Sequence, residues 1–139
     1  MTFETVLPIW QAIQERFHKT VKALPEQDLS LQMGSSTIGS LIKHNAEVEF
    51  MFAEWFFGKS KSEAIETSDT NLEQLVQLLT ASNANLIEAM KELPEDAWHQ
   101  RMESSIGTST PLEALGRLMY HTGIHSGQIS LIQKTLKAK

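Results

Sequence analysis

TPLEALGRLMYHTGIHSGQISLIQ, residues 110–133, reads as one long amphipathic helix. Thr110-Pro111-Leu112-Glu113 opens it with a hydroxyl cap, a proline at the first helical position and a glutamate that closes a capping box. Leu115, Leu118, Ile129 and Ile132 recur at helical spacing and define an inward stripe. His121 and His125 lie one turn apart beside that stripe, so their imidazoles share a face and can converge on one point.

Three further segments carry the same periodicity. Val6, Trp10, Ile13, Phe17 and Val21 predict a helix near 3–23, with Pro8 in its early turns, where proline is tolerated best. Leu41, His44, Val48, Met51 and Trp55 predict a second near 38–57, stopped by Gly58. Leu72, Leu75, Leu79, Leu86 and Met90 predict a third near 71–92, opened by a Thr70-to-Glu73 capping box. The fourth is expected near 111–136. No stretch alternates long enough to read as a strand. Four helices of this length suit an antiparallel-type four-helix bundle, so the fold class is all-α, as one domain over 1–139. The halves also echo each other. Leu24-Pro25-Glu26 and Leu93-Pro94-Glu95 each end a helix, and each is followed by a loop and a histidine-bearing helix. Either an internal repeat or a common helix exit accounts for this. The 59–69 connection is polar, whereas the 94–109 loop is long enough to rim a site, with Trp98 and Met102 packed on the bundle end.

Composition narrows the function classes. The 139 residues carry a net charge of −5, which argues against a nucleic-acid surface. No run of about eighteen apolar residues spans a membrane. The first residues lack a basic start followed by an apolar stretch, so a cytoplasmic location is expected. With no cysteine, disulfides, thiolate ligands and a protein thiol nucleophile are all excluded.

Among five histidines, His44 falls on the apolar seam of the second helix and is expected to point inward with His121 and His125. Each buried imidazole needs partners for two nitrogens, and a metal ion satisfies one on each ring at once. His44, His121 and His125 are therefore the candidate metal ligands. Glu47, one turn past His44, is a candidate base or a second-layer acceptor. Gln128 is a candidate partner for the histidine pair, and Arg117 a candidate anchor for an acidic substrate. His18 follows Glu15 by three, but a di-iron bundle needs two such motifs and more inward glutamates. His99 reads as a surface residue. A metal-dependent transferase, a metal-dependent hydrolase and a non-catalytic metal-binding or interaction module all remain open.

The segment from Thr37 to Glu47 around His44, and the His121-Thr-Gly-Ile-His125-Ser-Gly127-Gln128 stretch, resemble the DinB/YfiT-like superfamily. That resemblance covers nearly the whole chain. It implies a four-helix bundle, three histidines holding a divalent ion (zinc or nickel foremost) and a homodimer. The surplus aromatics Phe50, Phe52, Phe56 and Phe57 agree with a dimer. It also implies an enzyme of the thiol-dependent S-transferase or isomerase kind, using bacillithiol or mycothiol against a small electrophile. Ser126 departs from the arginine of many relatives, so any role of that side chain is not carried over. The family name's association with DNA damage does not make this acidic chain a DNA binder.

Overall fold

The computed structural model describes residues 1–59 and 71–137. In chain order it forms α1 (Thr2–Lys22), a 3-10 turn (Glu26–Ser30), the hairpin β1 (Gln32–Met33) and β2 (Ser36–Thr37), and α2 (Ile38–Phe56). After these come α3 (Leu72–Glu92), a second 3-10 turn (Glu95–His99), the hairpin β3 (Met102–Ser104) and β4 (Gly107–Ser109), and α4 (Pro111–Lys137). The fold is all-α, and each half repeats one order: helix, 3-10 turn, hairpin, helix. The hairpins went unread in the sequence because they hold only two and three residue pairs, too few for alternation to register. Gly34 turns the first hairpin with φ 61°, a backbone that side-chain-bearing residues rarely adopt.

Side-chain caps report how the helices run. Glu26, just past α1, accepts a hydrogen bond from the Leu72 amide at the start of α3 (2.8 Å). Glu95, just past α3, accepts from the Thr2 amide at the start of α1 (2.8 Å) and from the Thr2 hydroxyl. Each half thus caps the first helix of the other, and α1 and α3 run antiparallel. Lys59, just past α2, meets Glu88 late in α3 (2.9 Å). Gln133 and Lys137, late in α4, both donate to Asp28 just past α1 (2.9 Å each). The order is therefore up-down-down-up, with α2 parallel to α3, and this corrects the simple antiparallel arrangement read from the sequence. Thr70 and residues 60–69 lie outside the described residues. The cap of α3 is Asn71, whose side chain accepts from the Gln74 amide at 2.7 Å. The Thr110–Glu113 box forms as expected, with both bonds between 2.9 and 3.0 Å.

The core divides into two apolar clusters. One gathers Phe17, Val21, Ile38, Ile42, Leu75, Leu79 and Ile129. The other gathers Trp10, Phe52, Phe56, Leu86, Trp98, Leu115 and Leu118. Trp98 fills the bundle end as expected, with Met102 beside it. Phe52, Phe56 and Phe57 are buried inside the single chain and Phe50 packs on the first cluster, so these aromatics are no surplus awaiting a partner. Buried polar residues complete the interior: Gln14 of α1, Asn45 and Glu49 of α2, Ser82 of α3 and Thr122 of α4. Gln14 donates to Thr122 (3.3 Å), while Asn45 and Ser82 donate to Glu49 (3.3 and 2.8 Å).

The buried stripe of α2 is consequently Ile38, Ile42, Asn45, Glu49, Phe52 and Phe56. Met51 is exposed, and Val48 and Trp55 are half-buried. His44 lies off this stripe and is exposed, which corrects its expected inward position. The error arose from counting apolar residues alone, because Asn45 and Glu49 carry the helical period through the core.

The Glu95 cap has a pH signature. Its hydrogen bonds from the Thr2 hydroxyl and amide hold the carboxyl down, from 4.5 to about 2. A depressed carboxyl gives stability that is present above pH 4.5 and lost as pH falls towards 2. Glu95→Ala should lower Tm by a few degrees at pH 7. Thermal scans at decreasing pH should show the deficit closing below 4.5.

Candidate metal centre

Residue placement on two helices builds the centre. His44 projects from α2 about two turns past its Thr37 cap, and His121 and His125 project from one face of α4. Each histidine offers one ring nitrogen, and the three nitrogens lie within 4.8 Å of one another. The His121 and His125 rings are nearly perpendicular, with Nε2 atoms 2.9 Å apart. The His44 ring centroid stands 5.2 Å from that of His121 and 5.3 Å from that of His125. Burial is graded across the cluster: His125 is 8% exposed, His121 half-buried and His44 open to solvent. The site is therefore a groove between α2 and α4 with one accessible side.

Hydrogen bonds assign the ring protons. His125 Nδ1 lies 2.7 Å from Gln128 Oε1, which can only accept, so Nδ1 carries the proton and donates. His125 Nε2 then holds a lone pair, and His121 Nε2–H donates to it. Gln128 thus turns the Nε2 lone pair of His125 towards His121 and the centre of the cluster, the partnership typical of metal-ligating imidazoles. Burial, and then the neighbouring His125 and His44 rings, push the His121 imidazole down from 6.5 to about 4. Burial also lowers His125, against a raising contribution from Gln128. Neutral rings at neutral pH are the form that binds a cation.

The donor set, three imidazoles with no thiolate and no carboxylate among them, is compatible with a divalent metal ion. Zinc–nitrogen bonds of about 2.0–2.1 Å in tetrahedral geometry would place ligating nitrogens roughly 3.3 Å apart. The 2.9 Å pair already falls near that span, and all three nitrogens lie within 4.8 Å of one another.

The remaining candidates separate clearly. Gln128 is brought to the cluster. Glu47 and Arg117 are both exposed, and among the described contacts neither touches the histidines. Arg117 acts electrostatically on Glu113, one turn earlier on α4. His18 is half-buried edge-on against Phe17, away from the cluster. His99 is exposed beside Glu95, as expected. The sequence reading missed Glu49, the one carboxylate among the buried residues of α2. Its signal was the four-residue step from Asn45 and the three-residue step to Phe52.

The sequence pattern of the DinB superfamily matches residues 9–129. The chain belongs to the DinB superfamily. Similar solved structures include a DinB-like protein from Bacillus cereus, with 18% identity, TM-score 0.77 and coverage of 96% of this chain and 92% of that one. A DinB-like protein from Bacillus subtilis superposes with 14% identity, TM-score 0.76 and the same two coverages. A mycothiol-dependent maleylpyruvate isomerase matches at 17% identity and TM-score 0.68, over 93% of this chain but 61% of its own length. At such identities the likeness is one of fold. No curated protein matches the sequence. Among the described residues, no helix of this DinB-superfamily protein is long and apolar enough to cross a membrane.

The ring environments predict a titration pattern readable by NMR. His121 should titrate near 4, with His125 and His18 also below 6.5. Acidification through this range should destabilise the fold, because the unfolded chain takes up protons that the folded rings resist. Gln128→Ala should lower the His125 midpoint further, since the lost contact favours the charged ring.

Proposed function

We propose that His44, His121 and His125 hold a divalent ion, zinc or nickel, and that the centre serves a thiol-dependent transfer or isomerisation on a small electrophile. The observation that carries this reading is the convergence of three ring nitrogens within 4.8 Å, with His125 oriented by Gln128. When bound, such an ion keeps coordination positions open and lowers the pKa of a thiol that occupies one. The chain's own residues prepare the site. His125 presents its lone pair, His121 moves its Nε2 proton to the other ring nitrogen, and exposed His44 closes from the solvent side. The open flank at His44 admits a thiol cofactor, and the chain has no cysteine to compete with it.

The mycothiol-dependent isomerase of like fold supports a low-molecular-weight thiol such as mycothiol or bacillithiol as partner. Free thiols persist in reducing compartments, in keeping with the cytoplasmic location expected from the sequence. Exposed Tyr120, Ile124 and Leu131 on α4 support a homodimer in place of the aromatics that proved internal. Two alternatives have less behind them. A hydrolase would draw on Glu47 as base, but that side chain has no described contact with the cluster. An inert metal-holding module remains the reading if no turnover is found.

Elemental analysis of tag-free protein should find near-stoichiometric metal, and a His121→Ala, His125→Ala variant should have none. Gln128→Ala should weaken metal affinity by about 10–100-fold. Metal-free wild type that gains no thermal stability from added zinc or nickel would overturn the centre. Turnover of an electrophile without any thiol dependence would overturn the transfer reading alone.

A further inference from the structure

Glu49 takes no part in the metal centre, yet it is a carboxyl buried among the helices. Its carboxyl is 1% exposed in the middle of the bundle. Its hydrogen-bonding partners are neutral: Asn45 Nδ2 at 3.3 Å from Oε2 and Ser82 Oγ at 2.8 Å from Oε1. The other buried polar residues are Gln14, Ser109 and Thr122, which are uncharged, Asp28, which pairs with Lys137, and His125 of the histidine cluster. The titratable groups beside Gln14, Asn45 and Thr122 in sequence include Glu15 and His18 on α1, His44 and Glu47 on α2, and His121 on α4. None of them pairs with Glu49 or contributes to its titration. A carboxylate so placed would be a buried charge without a counter-charge, which proteins avoid by keeping the proton.

We propose that Glu49 is a proton-held latch: its neutral carboxyl bonds Asn45 along α2 and Ser82 on α3, fastening the helix that carries His44. Loss of the proton to solvent leaves an unpaired charge in the interior and loosens α2 at the residue next to His44. Burial raises the Glu49 carboxyl to about 8, so the latch holds at neutral pH and opens in mild alkali. In sign, the folded state keeps a proton that the unfolded chain releases above 4.5, so stability declines as pH rises to about 8 and levels beyond it. This inference does not rest on the metal reading.

The test compares wild type with Glu49→Gln, a neutral isostere, by infrared spectroscopy and by denaturant unfolding across pH. The difference spectrum at pH 6 should contain a protonated-carboxyl band that fades with a midpoint near 8. The unfolding constant of wild type, relative to Glu49→Gln, should rise by up to about tenfold per pH unit between 4.5 and 8. Above that midpoint cobalt(II) should bind wild type more weakly than Glu49→Gln. Parallel unfolding profiles, or no protonated-carboxyl band, would overturn the latch. If neither protein binds cobalt, the metal reading fails while the first two measurements still decide the latch. If Glu49→Gln does not fold, Ser82→Ala replaces it. Removing a donor that favours the ionised form should move the infrared midpoint upward, and an unmoved midpoint counts against the proposal.

Discussion

Two glutamates hold the architecture in register. Glu26 leaves the end of α1 to cap α3, and Glu95 leaves the end of α3 to cap α1. Each follows a Leu-Pro pair, whose proline breaks the helix and sends the chain into a 3-10 turn. The caps oblige α1 and α3 to lie side by side in opposite directions. The second helix of each half returns along the bundle through its hairpin, and α2 and α4 come together across the remaining face. The histidine groove is formed by that meeting, so the convergence of His44 with His121 and His125 depends on contacts at both ends of the bundle.

The same arrangement explains why polar residues interrupt the core at mid-height. Asn45 adjoins His44 in sequence and Thr122 adjoins His121, and both turn inward where the histidines turn towards the groove. On a helix, consecutive residues point about 100° apart, so a ligand at a groove edge leaves its neighbour facing the interior. A polar interior at this height costs stability unless its members satisfy one another. Gln14 with Thr122, and Asn45 and Ser82 with Glu49, do most of that pairing.

The helices were legible because three of them bury leucine, isoleucine and aromatic residues at regular spacing, and Thr110 to Glu113 spells out a cap. The histidine pair was legible because its geometry is set by one turn of one helix. His44 was not, because its orientation depends on which residues of α2 are buried. Asn45 and Glu49 look like solvent-facing residues until Ser82 is placed against them from α3. The parallel course of α2 and α3 was equally hidden, since it is fixed by Glu26 meeting Leu72 across 46 residues. The hairpins are each held by a few pairs and one left-handed glycine, which sequence periodicity does not record.

Charge ties the centre to its proposed chemistry. No candidate ligand is a carboxylate, burial lowers the His121 and His125 imidazoles, Glu49 is kept protonated by burial, and Glu47 stands in solvent without a described contact to the cluster. A divalent ion in this groove would keep nearly its full charge, because no carboxylate among the candidate ligands offsets it. Such a site favours an anion at its open position and resists one less when the anion's charge is soft and polarisable. A thiolate meets both conditions, and it can approach from the side where His44 is exposed. An ion offset by carboxylate ligands would discriminate less strongly for an anionic partner. The absence of acid from the candidate ligand set thus agrees with the thiol chemistry proposed for it.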